Sequence, residues 1–148
     1  MGAGFHPELS GRENVYLNGV ILGMRRAEIA RRFDEIVAFS GVEAFLDMAV
    51  KHYSTGMYMR LAFALAVHVD SDILLLDEVL AVGDEAFGQQ CLAKLEAAAA
   101  RGTTILFVAH DMELVSRLCS RALLLRDGLI AAQGPVAGVV AQYRLGES

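Results

Sequence analysis

The stretch YSTGMYMRLAFALAVHVDSDILLLDEVLAVGD, residues 53–84, decides how this chain is read. A Ser-x-Gly turn at Ser54–Gly56 opens an apolar helix predicted over Met57–His68. A connector with two acids, Val69–Asp72, leads into Ile73-Leu74-Leu75-Leu76. That run has no polar alternation, the pattern of a strand covered on both faces. It ends in Asp77-Glu78. A second strand, Thr104–Ala109, ends in His110-Asp111. The segment between them, Ala86–Ala100, reads as a helix, and strand–helix–strand order predicts a parallel pair. Acids at the carboxyl end of a parallel strand stand where open α/β sheets bind ligands.

Outward from that stretch the pattern changes. Towards the amino end, Ser10 or Gly11 caps a helix running to about Leu22, and Gly23 ends it. Ile29, Phe33, Ile36 and Val37 recur at helical spacing, predicting a second helix over Arg25–Phe39 that Gly41 stops. Val42–Met48 reads as one more short helix and Val50–Thr55 as a loop. Towards the carboxyl end, Asp111 caps a helix over Met112–Cys119. Asp127-Gly128 between two apolar runs marks a two-residue hairpin. Pro135 opens a last helix ending near Tyr143. The first portion is therefore all-helical and the second alternates strand and helix, with the boundary near Val69–Asp72.

Bulk composition narrows the classes. The chain has 148 residues, of which 55% are hydrophobic, and a mean hydropathy of +0.42. Charges interrupt every apolar stretch before the roughly 20 residues that a membrane-spanning helix needs. The apolar surplus fits a sheet covered on both sides or a surface that docks on a partner. A net charge of −5 argues against nonspecific nucleic-acid binding, which requires a basic face. Arg25, Arg26, Arg31 and Arg32 form a local basic cluster, but Glu28, Asp34 and Glu35 are interleaved with them, as on a solvated helix face. Cys91 and Cys119 lack metal-ligand spacing and read as core residues with reduced thiols. The first residues, Met-Gly-Ala-Gly-Phe-His-Pro, lack the basic and apolar regions of a secretory signal, so a cytoplasmic protein is expected.

Each chemical motif taken alone has an ordinary alternative. Asp77-Glu78 can be two exposed acids capping the next turn. Ser54-Thr55-Gly56 can be an N-cap followed by a glycine. His110 can be a histidine at a helix entry that bonds to local backbone. Their order along the chain is what resembles a known family, the ATP-binding subunit of an ABC transporter: signature turn, Walker B strand, D-loop and switch histidine. That family's usual turn is Leu-Ser-Gly-Gly-Gln. Here Tyr53 replaces the Leu, Thr55 the first Gly and Met57 the Gln, while Ser54 and Gly56 remain. This turn, together with GFHPELSGREN (residues 4–14) and DEVLAVGD (residues 77–84), is similar to the branch that exports polysaccharides and polyol phosphates such as O-antigen or teichoic acid. The resemblance covers nearly the whole chain.

The resemblance implies an α/β fold: an incomplete P-loop NTPase-type core with parallel strands, preceded by an α-helical subdomain. Residues 1–70 would be the helical, signature-bearing subdomain and residues 71–148 the C-terminal half of the ATPase core. It implies ATP and Mg2+ as cofactors. Asp77 would hold the Mg2+ through a bound water, and Glu78 would orient a water that attacks the γ-phosphate. His110 would sense the γ-phosphate. Ser54, Thr55 and Gly56 would close over ATP held by the partner subunit of a head-to-tail dimer, and Asp84 would lie in the D-loop that crosses the dimer interface. The partners would be a second ATPase subunit, in a homodimer or a heterodimer, and a membrane permease. The localisation would be cytoplasmic, peripheral to the inner membrane and without direct insertion. DNA-repair and chromosome-structuring ATPases share the turn and strand but carry long coiled coils, and no sustained heptads occur here.

No Gly-x-x-x-x-Gly-Lys-Ser/Thr loop occurs in the sequence, and the only lysines are Lys51 and Lys94. That loop supplies most donors to the β-phosphate. The chain alone is therefore expected to bind ATP poorly, to leave sheet surface unpaired and to associate. The extra β-rich domain that some members carry at the carboxyl end is not expected. A second reading is a non-catalytic module that dimerises with a complete ATPase subunit and regulates it.

Overall fold

The structure, a computed structural model, describes residues 4–77 and 85–146. In chain order the elements are α1 (Gly11–Ile21), α2 (Arg26–Ser40), single 3-10 turns at Glu43–Phe45 and Val50–His52, α3 (Thr55–Val67), β1 (Ile73–Asp77), α4 (Glu85–Ala100), β2 (Thr104–Val108), α5 (Met112–Leu118), β3 (Arg121–Arg126), β4 (Leu129–Pro135) and α6 (Val136–Gly146). They fall into two compact units. The first comprises residues 1–74 and 79–104, the second 75–78 and 105–148.

The first unit is helical, and its termini follow from local chemistry. Ser10 caps α1 in a reciprocal box: its Oγ accepts from Glu13 N at 3.2 Å, and Glu13 Oε2 accepts from Ser10 N at 2.8 Å. α2 ends at Gly41, whose φ of 67° is the left-handed conformation that stops a helix most easily at glycine. The apolar stripes of α1, α2 and α3 close on each other through Val15, Ile29, Phe33, Ile36, Val37, Leu61, Ala64 and Leu65.

Two polar groups organise this unit. Asn14 is fully buried on α1 and stitches the preceding loop to the helix. Its Oδ1 accepts from His6 N at 2.6 Å, and its Nδ2 donates towards the carbonyls of His6, Leu9 and Ser10 at 2.9–3.1 Å. Phe5 is then pinned to α3, where its N–H donates to Tyr58 Oη at 3.0 Å and the two rings stand 5.0 Å apart. The second group is His68, 2% exposed at the end of α3. Its Nδ1 lies 2.6 Å from the Ala64 carbonyl, which can only accept, so Nδ1 carries the proton. Nε2 lies 3.1 Å from Glu35 Oε1 on α2, and Lys94 Nζ on α4 donates to the same oxygen at 2.8 Å. Burial pushes the imidazole pKa below its ordinary value, aided by the Lys94 charge and opposed by Ala64 and Glu35.

Residues 42–52 do not form the helix and loop expected of them. The carbonyls of Leu46 and Met48 accept instead from Arg12 N at 2.9 Å and Gly11 N at 3.2 Å, the unpaired donors of the first turn of α1. Val50 N and Lys51 N in turn donate to Leu9 O and Pro7 O. Held against the amino end of α1 in this way, the segment closes only single 3-10 turns at residues 43–45 and 50–52, with Phe45 N donating to Val42 O and His52 N to Ala49 O. Tyr53 locks this layer: its hydroxyl donates to Phe45 O at 2.9 Å. A Cβ at Gly11 would stand 2.1 Å from that hydroxyl oxygen.

In the second unit β1 and β2 form a parallel pair and β3 and β4 an antiparallel hairpin. The hairpin turns through Asp127 at φ 51° and Gly128 at φ 78°, the pair of positive φ values that a tight two-residue turn demands. Its register shifts between Leu124 and Leu125. α6 covers it with Val139 and Val140 buried. Asp111 caps α5 by accepting from Glu113 N and Leu114 N. β1 is not covered on both faces. Leu76 is 2% exposed but Ile73 and Leu75 are 62% and 66% exposed. The apolar run hides an alternation in burial, because successive side chains point to opposite faces, and the row containing Ile73 and Leu75 stays open. β2 repeats this pattern, with Leu106 and Val108 open.

The Gly11–Tyr53 approach predicts that Gly11→Ala lowers stability by about 1–3 kcal/mol through overpacking. In a Tyr53→Phe background, which removes the obstructing oxygen, the same change should cost less. Urea unfolding of the four proteins tests this, and strict additivity would argue against the contact. The His68 environment predicts a pH effect. The unfolded imidazole titrates near about 6.5. Below that pH the unfolded chain takes up a proton that the folded chain resists, so this group lowers stability as pH falls from 6.5 towards the folded value, and has no effect above it. Thermal melts between pH 5 and 8 should fall more steeply on the acid side for the native chain than for His68→Gln. Parallel curves would contradict it.

Candidate functional site

The Ser54–Gly56 turn is built by the amino end of α3. Ser54 has extended backbone angles (φ −65°, ψ 159°), and its Oγ accepts from Met57 N at 3.2 Å while its carbonyl accepts from Tyr58 N at 3.0 Å. As first-turn groups, the N–H of Thr55 and of Gly56 have no acceptor within the helix. Ser54 and Thr55 are exposed and Gly56 is half-buried. A Cβ on Gly56 would meet nothing nearer than Ser54 Oγ at 3.8 Å. A thirteen-residue helix thus presents two open donors, a hydroxyl and its positive dipole end at the surface. That arrangement suits an anion.

Arg60, one turn further along α3, went unnoticed in the sequence. Its Nε donates to Ser40 O at the end of α2 at 3.0 Å, and its guanidinium lies 4.6 Å from the centre of the Phe87 ring in the first turn of α4. It ties the helix that carries the turn to both of its neighbours. The available signal was a single cation in an otherwise apolar helix.

The other candidates lie in the second unit. Asp77 is the last residue of β1 and His110 follows β2 by two positions; both are exposed. Because the strands are parallel neighbours, both residues stand at the carboxyl end of the pair. Glu78 and Asp84 lie outside the described residues. The structure groups Ser54, Thr55 and Gly56 on one turn of the first unit, and Asp77 and His110 at one sheet end of the second. Among the described residues no three His, Cys, Asp or Glu side chains converge on a metal position. A carboxylate oxygen such as that of Asp77 suits Mg2+, which is usually bound by one or two carboxylates together with water and phosphate oxygens. The cysteines take no part in such chemistry. Burial pushes the Cys91 thiol up to about 12, and raises that of Cys119 as well.

Comparison with known proteins agrees with this geometry. The family model described as ABC transporter matches residues 3–81, more than half of the chain. The O-antigen export system ATP-binding protein RfbB of Myxococcus xanthus is 52% identical over 97% of this chain, and the protein of that name from Klebsiella pneumoniae is 42% identical over the same share. The teichoic acids export ATP-binding protein TagH of Levilactobacillus brevis is 40% identical, again over 97%. The chain spans 33%, 58% and 40% of the length of these three relatives. Among solved structures, the ATP-binding subunit of an ABC transporter superposes with a TM-score of 0.84 at 23% identity, covering 97% of this chain and 60% of that one. A dimeric ATP-binding cassette bound to ADP and Pi gives 0.73 at 22% identity, covering 92% and 61%. These two show the fold. With the family model spanning both the Ser54–Gly56 turn and the strand that ends in Asp77, the chain belongs to the ABC transporter family.

Proposed function

We propose that this chain is the signature-bearing portion of an ATP-hydrolysing subunit that drives export of a cell-surface polysaccharide. The observation that carries the reading is the first turn of α3. Nothing among the described residues demands a glycine at position 56, because a side chain there would have room. Open donors beside a glycine that its own fold does not require fit close approach by an external anion. The γ-phosphate of ATP on a second subunit is such an anion. The similar proteins are named for export of O-antigen and of teichoic acids, which suggests the substrate class.

In this reading residues 1–70 form the helical, signature-bearing subdomain and residues 71–148 the later half of the ATPase core. Bound Mg2+ supplies charge neutralisation at the transferring phosphate. Asp77 would hold it, Glu78 would orient and polarise the attacking water, and His110 would donate to a γ-phosphate oxygen. Ser54, Thr55 and Gly56 would complete the partner's site, and Asp84 would couple the two sites. The subunit would work as a dimer beneath a permease at the cytoplasmic face of the membrane. The loop Phe5–Asn14, held in one shape by Asn14 and Tyr58 and exposed at His6, Pro7 and Glu8, would lie near the permease contact.

In the full-length protein assembled with its permease, Glu78→Gln should lower kcat for ATP hydrolysis by about 10²–10⁴-fold, the range of a lost general base, with little change in KM. His110→Ala should also lower kcat. Steady-state ATPase assays on the reconstituted complex test this, and turnover at the native rate in both variants would overturn the catalytic assignment. Crosslinkers placed at Pro7 or Glu8 should reach the permease; a loop that never crosslinks to it would remove the docking assignment.

A further inference from the structure

The end of α1 and the start of α2 form a corner that the export reading leaves unused. Val20 and Ile21 are 56% and 62% exposed, and Leu17 and Leu22 are open beside them. Leu17, Val20 and Ile21 share one face of α1 by their spacing. The chain then turns at Gly23, where φ is 93°, and Met24 is buried. Arg25 and Arg26 follow, both exposed, with Arg31 one helical turn and a half further on. Leu22, Arg25 and Arg31 line one shallow depression together with Gly23, Glu28, Arg32 and Asp70.

The charges in this corner do not cancel. Glu28 and Asp70, the two acids of the depression, both engage Arg32. Among the described residues no carboxylate pairs with Arg25, Arg26 or Arg31. Arg26 packs its guanidinium 5.6 Å from the centre of the Tyr16 ring, which leaves its charge unneutralised. On a protein of net charge −5 this corner thus sets four arginines against two acids, a local surplus of two positive charges, beside four exposed aliphatic side chains.

We propose that this corner rests on an anionic lipid surface, with the arginines at the headgroups and Val20, Ile21 and Leu22 in the outer acyl region. The charge complementarity and the aliphatic tip favour lipid over an acidic protein segment. Arg25 and Arg31 are held by no second contact, so their forks are not preset for a carboxylate; mobile headgroups tolerate that freedom. A basic residue near such a surface contributes about 1 kcal/mol, close to fivefold in partitioning. A surplus of two positive charges should give roughly a thirtyfold preference for anionic over neutral membranes, reduced by salt. This goes beyond the export reading and stands on these residues alone.

Cosedimentation of the chain with vesicles of phosphatidylcholine, or of equimolar phosphatidylcholine and phosphatidylglycerol, tests the proposal. The chain should bind the anionic vesicles selectively. Arg25→Gln/Arg26→Gln/Arg31→Gln should abolish that selectivity, and Val20→Ser/Ile21→Ser should weaken binding. All five side chains are exposed, and thermal melts verify that the variants fold. Leu106→Ser/Val108→Ser, on the open row of β2, should leave binding intact. Equal binding to both vesicles, or loss only in the β2 variant, would mean general apolar adhesion and overturn the proposal. Binding to a poly-glutamate peptide but to neither vesicle would assign the corner to a protein partner and overturn it equally.

Discussion

The hydroxyl of Tyr53 stands where the side chain of any residue other than glycine at position 11 would be. That one close approach joins three parts of the first unit. Gly11 begins α1, Tyr53 immediately precedes the Ser54–Gly56 turn, and Phe45, which accepts the Tyr53 proton, sits in the 3-10 turn between them. The first donors of α1 meanwhile take the carbonyls of Leu46 and Met48. The Ser54–Gly56 turn is therefore positioned by contacts far away in sequence. Tyr53 also explains a departure from the family's usual turn, which has a leucine there. A leucine can fill the space but cannot donate to a carbonyl, so the tyrosine adds a directional tie at the base of the turn.

The same unit is held on its other side by polar groups of α3. Arg60 reaches the end of α2 and the first turn of α4, and His68 meets Glu35 of α2, to whose carboxylate Lys94 of α4 also donates. Phe39 lies between them, edge-on to both His68 and Phe87. α3 is thus fixed at two points two turns apart. These contacts tie the helix that begins with the Ser54–Gly56 turn to α2 and α4 through side chains as well as through the backbone.

What the sequence disclosed and what it withheld divides along physical lines. Features set by local backbone chemistry were legible: the Ser10 and Asp111 caps, the Gly41 stop, the Asp127-Gly128 hairpin and the Ser54 turn all lie within a few residues of the groups they satisfy. The 3-10 turns at 43–45 and 50–52 were not legible, because the segment is shaped by its hydrogen bonds to Pro7, Leu9, Gly11 and Arg12, more than thirty residues earlier. Asn14 was missed for the same reason. A polar residue on a helix face looks solvated until the loop that folds over it is known. The openness of one row of β1 and β2 was also hidden, since an unbroken apolar run carries no record of which face is covered. For the candidate site, residue types and order were enough to nominate Ser54, Gly56, Asp77 and His110, whereas the ties that Arg60 makes required the tertiary contacts.

The central claim is that the Ser54–Gly56 turn serves ATP held by another subunit, and the most direct measurement is the ATPase rate of mixed dimers of the full-length protein. Gly56→Asp places a carboxylate against the phosphate, and His110→Ala removes its donor. If the turn acts across the dimer, the two changes on different subunits fall in one composite site and leave the other intact, so about half of the native rate remains. Placed together on one subunit they disable both sites, and activity is lost. The reverse pattern, half activity with both changes on one subunit and none when they are separated, would show that each turn serves its own subunit's nucleotide and would contradict the account.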